Sequence, residues 1–166
     1  LKNKSGISLI ELLVVCVLIT LLAGLSISMI SILQHTAVRA ELALLQTTCR
    51  YMQQLASATH QEQRLYLDPI HNSYRYNAIT HTLHPQVQFG YLHNTKGPPA
   101  NSDSLINKPV SFVDNVIIFY PTGIISSGTL YLTNTKRTCC YALSNGVAHV
   151  SYLRSYIYKN GWHIVK

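Results

Sequence analysis

Four groups of residues in this chain have types and spacings that could do chemistry. The first is a lone carboxylate, Glu11, the only charge in ISLIELLVVCVLITLLAGLSISMISIL, residues 7–33. At the centre of a membrane helix an acidic side chain costs about 2.5–3.5 kcal/mol on insertion scales. Near the helix N-terminus the headgroups and the positive end of the dipole favour it. Its chemistry is ion pairing, which strengthens as the surrounding dielectric falls. The second group is Cys49, Cys139 and Cys140. A bridge from Cys49 to Cys139 or Cys140 would staple helix to sheet and add roughly 2–4 kcal/mol. Three buried thiols is the alternative. The third is histidine: His81 and His84 stand three apart in HTLH, with His71 and His93 on either side. No Cys or carboxylate completes a zinc set around them, so solvated or interface imidazoles are expected and no metal. The fourth is the basic, aromatic end YLRSYIYKNGWHIVK, where Tyr152, Tyr156, Tyr158 and Trp162 alternate with Arg154, Lys159 and Lys166. Such a mixture can stack on bases and neutralise phosphates, which makes Arg154, Lys159 and Lys166 candidate nucleic-acid contacts. Alternating Tyr is equally the pattern of ordinary sheet packing. With no nucleophile elbow, phosphate loop or paired carboxylates, no enzymatic activity and no cofactor are expected.

These residues need elements to hold them. Residues 7–33 exceed the ~20 apolar positions that a helix needs to cross a bilayer. Ahead of them stands a short leader, residues 1–6, with Lys2 and Lys4 before Ser5 and Gly6. A secretory signal peptide has the opposite order, with its cleavage site after the apolar run. Cleavage here would precede the run and leave it on the product. The basic leader places residues 1–6 in the cytoplasm and everything after the run outside.

Beyond Leu33 the helical pattern becomes one-sided. Val38, Leu42, Leu45, Cys49, Met52 and Ala56 recur at spacings of four and three, with Arg39, Glu41, Gln46, Arg50, Gln53 and Gln54 between them. That is an amphipathic continuation over 34–63 whose stripe requires a partner surface. No Pro interrupts Ile7 to Leu67, so one helix of about 80 Å is the economical reading. From Arg64 the period changes to two, and 64–166 reads as a β-rich head. A hairpin is expected around Asp68-Pro69 and Asn72-Ser73. Strands are expected at Gln86–Tyr91, Val110–Val113, Val116–Tyr120, Gly128–Thr133, Cys139–Leu143, Ala148–Tyr152 and Gly161–Val165. Asn145-Gly146 is the strongest hairpin signal. His93–Pro109 reads as a long exposed loop. The fold class is therefore α+β, a long helix packed on a mostly antiparallel sheet.

Charge adds one asymmetry. The formal net charge is +7, and no carboxylate side chain follows Asp114, whereas Lys136, Arg137, Arg154, Lys159 and Lys166 do. A surface for nucleic acid or anionic lipid would look like this, as would a solvated, weakly basic face.

Taken together, Gly6 followed by ISLIELLVV resembles the processing motif of the type IV pilin superfamily. The resemblance implies a prepilin peptidase that cuts after Gly6 and methylates Ile7, with Glu11 used in assembly with other pilin or pseudopilin subunits. Ile7 stands where Phe or Met is usual. Val116–Val150, VIIFYPTGIISSGTLYLTNTKRTCCYALSNGVAHV, resembles the pseudopilin H and FimT group of minor subunits. Its Gly146 is followed by Val147 instead of Arg, and the basic Gly-Arg-x-Arg motif of some FimT-like DNA binders is missing. The implied protein is a minor pilin or pseudopilin of the bacterial inner membrane. Its head would lie in the periplasm, and it would join a secretion pseudopilus or a pilus at or near the tip. The alternative implied is a DNA-binding minor pilin of an uptake pilus. A plain membrane-anchored binding domain would keep its leader uncut.

Overall fold

The computed structural model describes residues 8–99, 104–146 and 151–165, and of 23–34 the backbone alone. The chain forms two compact units, Leu1–Gln34 and His35–Lys166. Helix α1, Leu9–Thr59, contributes its first part to one and the remainder to the other. The uninterrupted helix follows from the absence of Pro over this span. It ends at His60, whose φ of 53° takes the left-handed conformation that commonly terminates helices.

In the second unit the stripe along α1 is buried as its spacing requires: Val38, Leu42, Leu45, Cys49, Met52 and Ala56 are each at most 2% exposed. Full burial of a side chain of Val, Leu or Met size contributes about 1.5–3 kcal/mol, so this stripe is a principal anchor of the head. Among the described residues the strands are β1 (Gln63–Asp68), β2 (Ser73–Tyr76), β3 (Ile79–Thr82), β4 (Val87–Phe89), β5 (Val116–Phe119), β6 (Gly128–Asn134), β7 (Cys140–Asn145), β8 (Arg154–Tyr158) and β9 (Trp162–Ile164). They form two antiparallel sheets, one ordered β3-β2-β1-β5 and the other β4-β6-β7-β8-β9. In the first, Leu65 pairs with Tyr76 on one side and Ile117 on the other. Leu65, Leu67, Tyr74, Ile117 and Phe119 join the helix stripe in one core.

The second sheet is apolar on both faces, and strand alternation divides its residues. Leu130, Leu132, Cys139, Tyr141 and Leu143 enter the core with the helix, while Tyr131, Cys140 and Ala142 lie in a separate cluster. Tyr91, Leu92, Ile106, Tyr156, Tyr158 and Trp162 cover that cluster. The indole of Trp162 lies 5.7 Å from the Tyr131 ring and 5.2 Å from the Tyr158 ring, and its Nε1 donates to Lys96 O at 2.7 Å. Phe112 packs so closely on Gly128 that a β-carbon there would collide with its ring.

Two glutamines of α1 reach far across the sequence. Gln53 Nε2 donates to Gly123 O at 2.6 Å and to Ser151 O at 2.8 Å, and Gln46 Oε1 accepts from Ser155 Oγ at 3.0 Å.

Four expectations change. The segment 93–109 is not simply an exposed loop. Thr95 and Gly97 are buried, and Lys96 bridges to Leu105, because the outer face of the second sheet needs cover. Val110–Val113 is not a strand. Val110 makes a single bridge to Leu130, and a 3-10 turn follows at Val113–Asn115, where Asp114 and Asn115 have positive φ. Asn145-Gly146 is not the centre of a two-residue turn, since Asn145 ends β7 opposite Gly128 and its buried amide donates to Ile125 O and Ser126 O. Of the expected strand Ala148–Tyr152, residues 148–150 lie outside the described residues, and Ser151 and Tyr152 precede β8 without belonging to it.

Candidate assembly surface

The first turn of α1 is built by Ser8. Its Oγ accepts from Ile10 N at 3.2 Å, and its carbonyl accepts from Glu11 N at 3.0 Å and Leu12 N at 3.1 Å. Ser8 is thus the N-cap and Glu11 the third helical residue, the spacing of a capping box, where a carboxylate meets the positive end of the helix dipole. Gly6 and Ile7 lie outside the described residues. From Leu9 to Leu22 every side chain is exposed, Leu9 at 83% and Leu22 still at 65%. Leu, Ile and Val occupy all sides of this helix, and Glu11 is its only charge. Thr20 satisfies its hydroxyl within the helix, donating to Val17 O at 2.9 Å. A surface of this kind in water would leave a contiguous apolar patch far larger than monomers carry, so it demands lipid or packed helices. Among the described residues no helix is long and apolar enough to cross a membrane. The expected span, residues 7–33, runs into 23–34, whose side chains lie outside the described residues.

The second carboxylate of α1 behaves differently. The sequence pattern placed Glu41 among the polar positions, yet it is held against the head: Oε2 stands 3.2 Å from His81 Nε2, and Oε1 accepts from His84 N at 2.9 Å. His81 also lies 4.9 Å from the Tyr74 ring, whose hydroxyl burial pushes up to about 12. Glu41 therefore ties the helix to edge strand β3 and to the segment after it. No sequence signal marked it, because β3 itself is short and polar. His71 Nδ1 is 2.7 Å from Asp68 Oδ2. Among the described residues no three His, Cys, Asp or Glu side chains are grouped to hold a metal.

The cysteines do not form the expected staple. Cys16, Cys49, Cys139 and Cys140 are all free. Cys140 belongs to the cluster away from Cys49. Cys139 shares the core with Cys49, but its backbone is fixed by the turn before it, its N–H donating to Asn134 Oδ1 at 3.3 Å and its carbonyl accepting from Thr133 Oγ1 at 2.6 Å. Burial pushes the Cys49 and Cys140 thiols up to about 12 and raises that of Cys139, so all three stay protonated.

At the basic end, Tyr158 and Trp162 are packed against the second sheet, as ordinary sheet residues would be. Arg154 is exposed, its guanidinium 4.7 Å from the Tyr152 ring centroid. Lys159 is exposed on the turn before β9. Lys166 lies outside the described residues. Of the two described cations, Arg154 opens β8 and Lys159 follows its far end.

Residues 1–27 match the family model of the prokaryotic N-terminal methylation motif. The match supports a type IV pilin-like or pseudopilin subunit. No curated protein and no solved structure matches the chain.

Proposed function

We propose that the chain is a minor pilin or pseudopilin that enters a periplasmic or surface fibre at or near its tip. In this reading prepilin peptidase cuts after Gly6 and methylates Ile7, and residues 7–33 hold the subunit in the inner membrane until assembly. The new amine of Ile7 then stands one helical turn from Glu11. In a fibre, packed helices replace lipid, and the Glu11 carboxylate of one subunit pairs with the amine of its neighbour, fixing axial stagger as the dielectric falls. The head contributes the surface that neighbouring subunits contact, and the role is structural, without catalysis.

The observation that carries this reading is the exposed apolar helix from Leu9 to Leu22, interrupted by Glu11 alone and lying within the methylation motif. Mass spectrometry of the protein from its native membrane tests it. The expected N-terminus is Ile7 bearing one methyl group. An intact, unmodified Lys2–Gly6 leader would overturn the reading. The Val116–Val150 pattern favours a secretion pseudopilus of the pseudopilin H and FimT kind. A second reading, a DNA-binding minor pilin, is favoured by the exposed Arg154–Tyr152 pair. A salt-sensitive gel shift abolished by Arg154→Ala and Lys159→Ala would support it, and a shift unchanged by both would remove it.

A further inference from the structure

The head holds a pocket of about 330 Å3 lined by Phe89, Gly90, Tyr91, His93, Pro109 and Arg137. Three separate segments build it: the end of β4 and the residues after it, the residue before the Val110 bridge, and the turn between β6 and β7. Each is fixed from below. Gly90 N donates to Tyr131 O at 3.0 Å, and a β-carbon at Gly90 would lie only 3.0 Å from Thr133 Cγ2, so the floor has no room for a side chain. Tyr91 packs edge-on against Tyr131, with ring centroids 6.4 Å apart. The β6–β7 turn is organised by the fully buried Asn134, whose Oδ1 accepts from Thr138 N at 2.7 Å and whose Nδ2 donates to Thr138 Oγ1 at 2.8 Å. Arg137 N donates to Asn134 O at 2.8 Å, and its φ of 51° is left-handed, a strained conformation for a non-glycine residue that the turn must maintain.

Arg137 and His93 bring donors to the pocket from different segments, and no carboxylate lines it. Among the described residues neither side chain takes part in an ion pair. We infer that this pocket binds a phosphoryl group. Donors from separate segments suit a tetrahedral anion with several acceptor oxygens, and the guanidinium offers two parallel donors to a pair of them. A free phosphate and the phosphodiester of a single-stranded nucleic acid share this chemistry.

The test uses the full chain in detergent micelles, titrated calorimetrically in parallel with inorganic phosphate, sodium acetate and a short oligothymidylate. Saturable binding of phosphate or of the oligonucleotide is expected, weakened at least tenfold by Arg137→Gln and by His93→Asn, each checked by circular dichroism for an intact fold. Arg64→Gln, on β1 and outside the pocket, should leave binding unchanged. Oligonucleotide binding displaced by phosphate identifies the phosphodiester as the source, and phosphate binding alone identifies the free anion. No binding of either, binding unaffected in a folded Arg137→Gln/His93→Asn double variant, or acetate binding as tight as phosphate would overturn the inference.

Discussion

The two parts of helix α1 share one backbone and differ in almost everything else. From Leu9 to Leu22 large apolar residues lie on all sides, and every side chain is exposed. From Val38 to Ala56 they form one stripe, and that stripe is sealed against two sheets. Each part also carries a carboxylate in a different setting: Glu11 sits in the first turn of an apolar rod, and Glu41 is held by His81 and the His84 amide. Composition alone does not distinguish a helix that finishes its folding within the chain from one that waits for outside cover. The angular distribution of its apolar residues does.

The sharpest test of this contrast is a matched pair of truncations. Leu45→Ala should destabilise the head by about 2–5 kcal/mol, because it opens a cavity in a closed core. Leu18→Ala, at a residue 53% exposed, should leave denaturant unfolding of the head unchanged. Equal losses would mean that the two parts are not energetically distinct. The carboxylates form a second pair. Glu41→Ala should cost about 0.5–1.5 kcal/mol, the net range for an ordinary hydrogen bond, by removing the acceptor of His84 N and releasing His81. Glu11→Ala should not move the unfolding midpoint of the head but should impair incorporation into fibres, measured by crosslinking to neighbouring subunits. Normal incorporation would mean that the charge does not align subunits. Within the closed part, Gly128→Ala should cost about 1–3 kcal/mol by forcing the Phe112 ring aside. A neutral result would show that the core is looser than the contact implies.

The smallest effect concerns pH. Hydrogen bonds from the His71 backbone and side chain hold the Asp68 carboxyl below its usual value. A depressed folded pKa means that the contribution is complete above the unfolded pKa, about 3.9. It is lost as pH falls through the folded value. The β1–β2 turn should therefore stay intact down to about pH 4 and loosen below it, visible in the His71 amide resonance. Asp68→Asn should remove that transition.

The stripe Val38–Ala56 was fully legible in the sequence, because a helix repeats its spacing over many residues and errors cancel. Most strands were legible where β-branched and aromatic residues alternate, as in β1, β5 and β6. Strand β3 was missed because ITHT is a short edge strand whose residues mostly face water. Strand β8 was displaced by several residues because the Tyr alternation continues from Tyr152 and carries no mark of where pairing begins. Asn145-Gly146 misled because the same amide that favours a turn can bridge two carbonyls inside the fold. In the apolar part of α1, Glu11 stands out in the sequence as a lone charge. The pocket of His93 and Arg137 joins segments more than forty residues apart, and no local pattern records such a meeting.

The two glutamines of α1 have a consequence for how the head is made. Gln53 bonds to carbonyls 70 and 98 residues later, and Gln46 to a hydroxyl 109 residues later. These bonds must wait until residues 123, 151 and 155 have emerged from the ribosome, so the amphipathic half of the helix exists for a time with part of its stripe uncovered. Topologies dominated by such distant contacts fold slowly, because loop closure must precede the reward. That interval is when a chaperone would be needed and when the apolar stripe would be most open to the wrong partner.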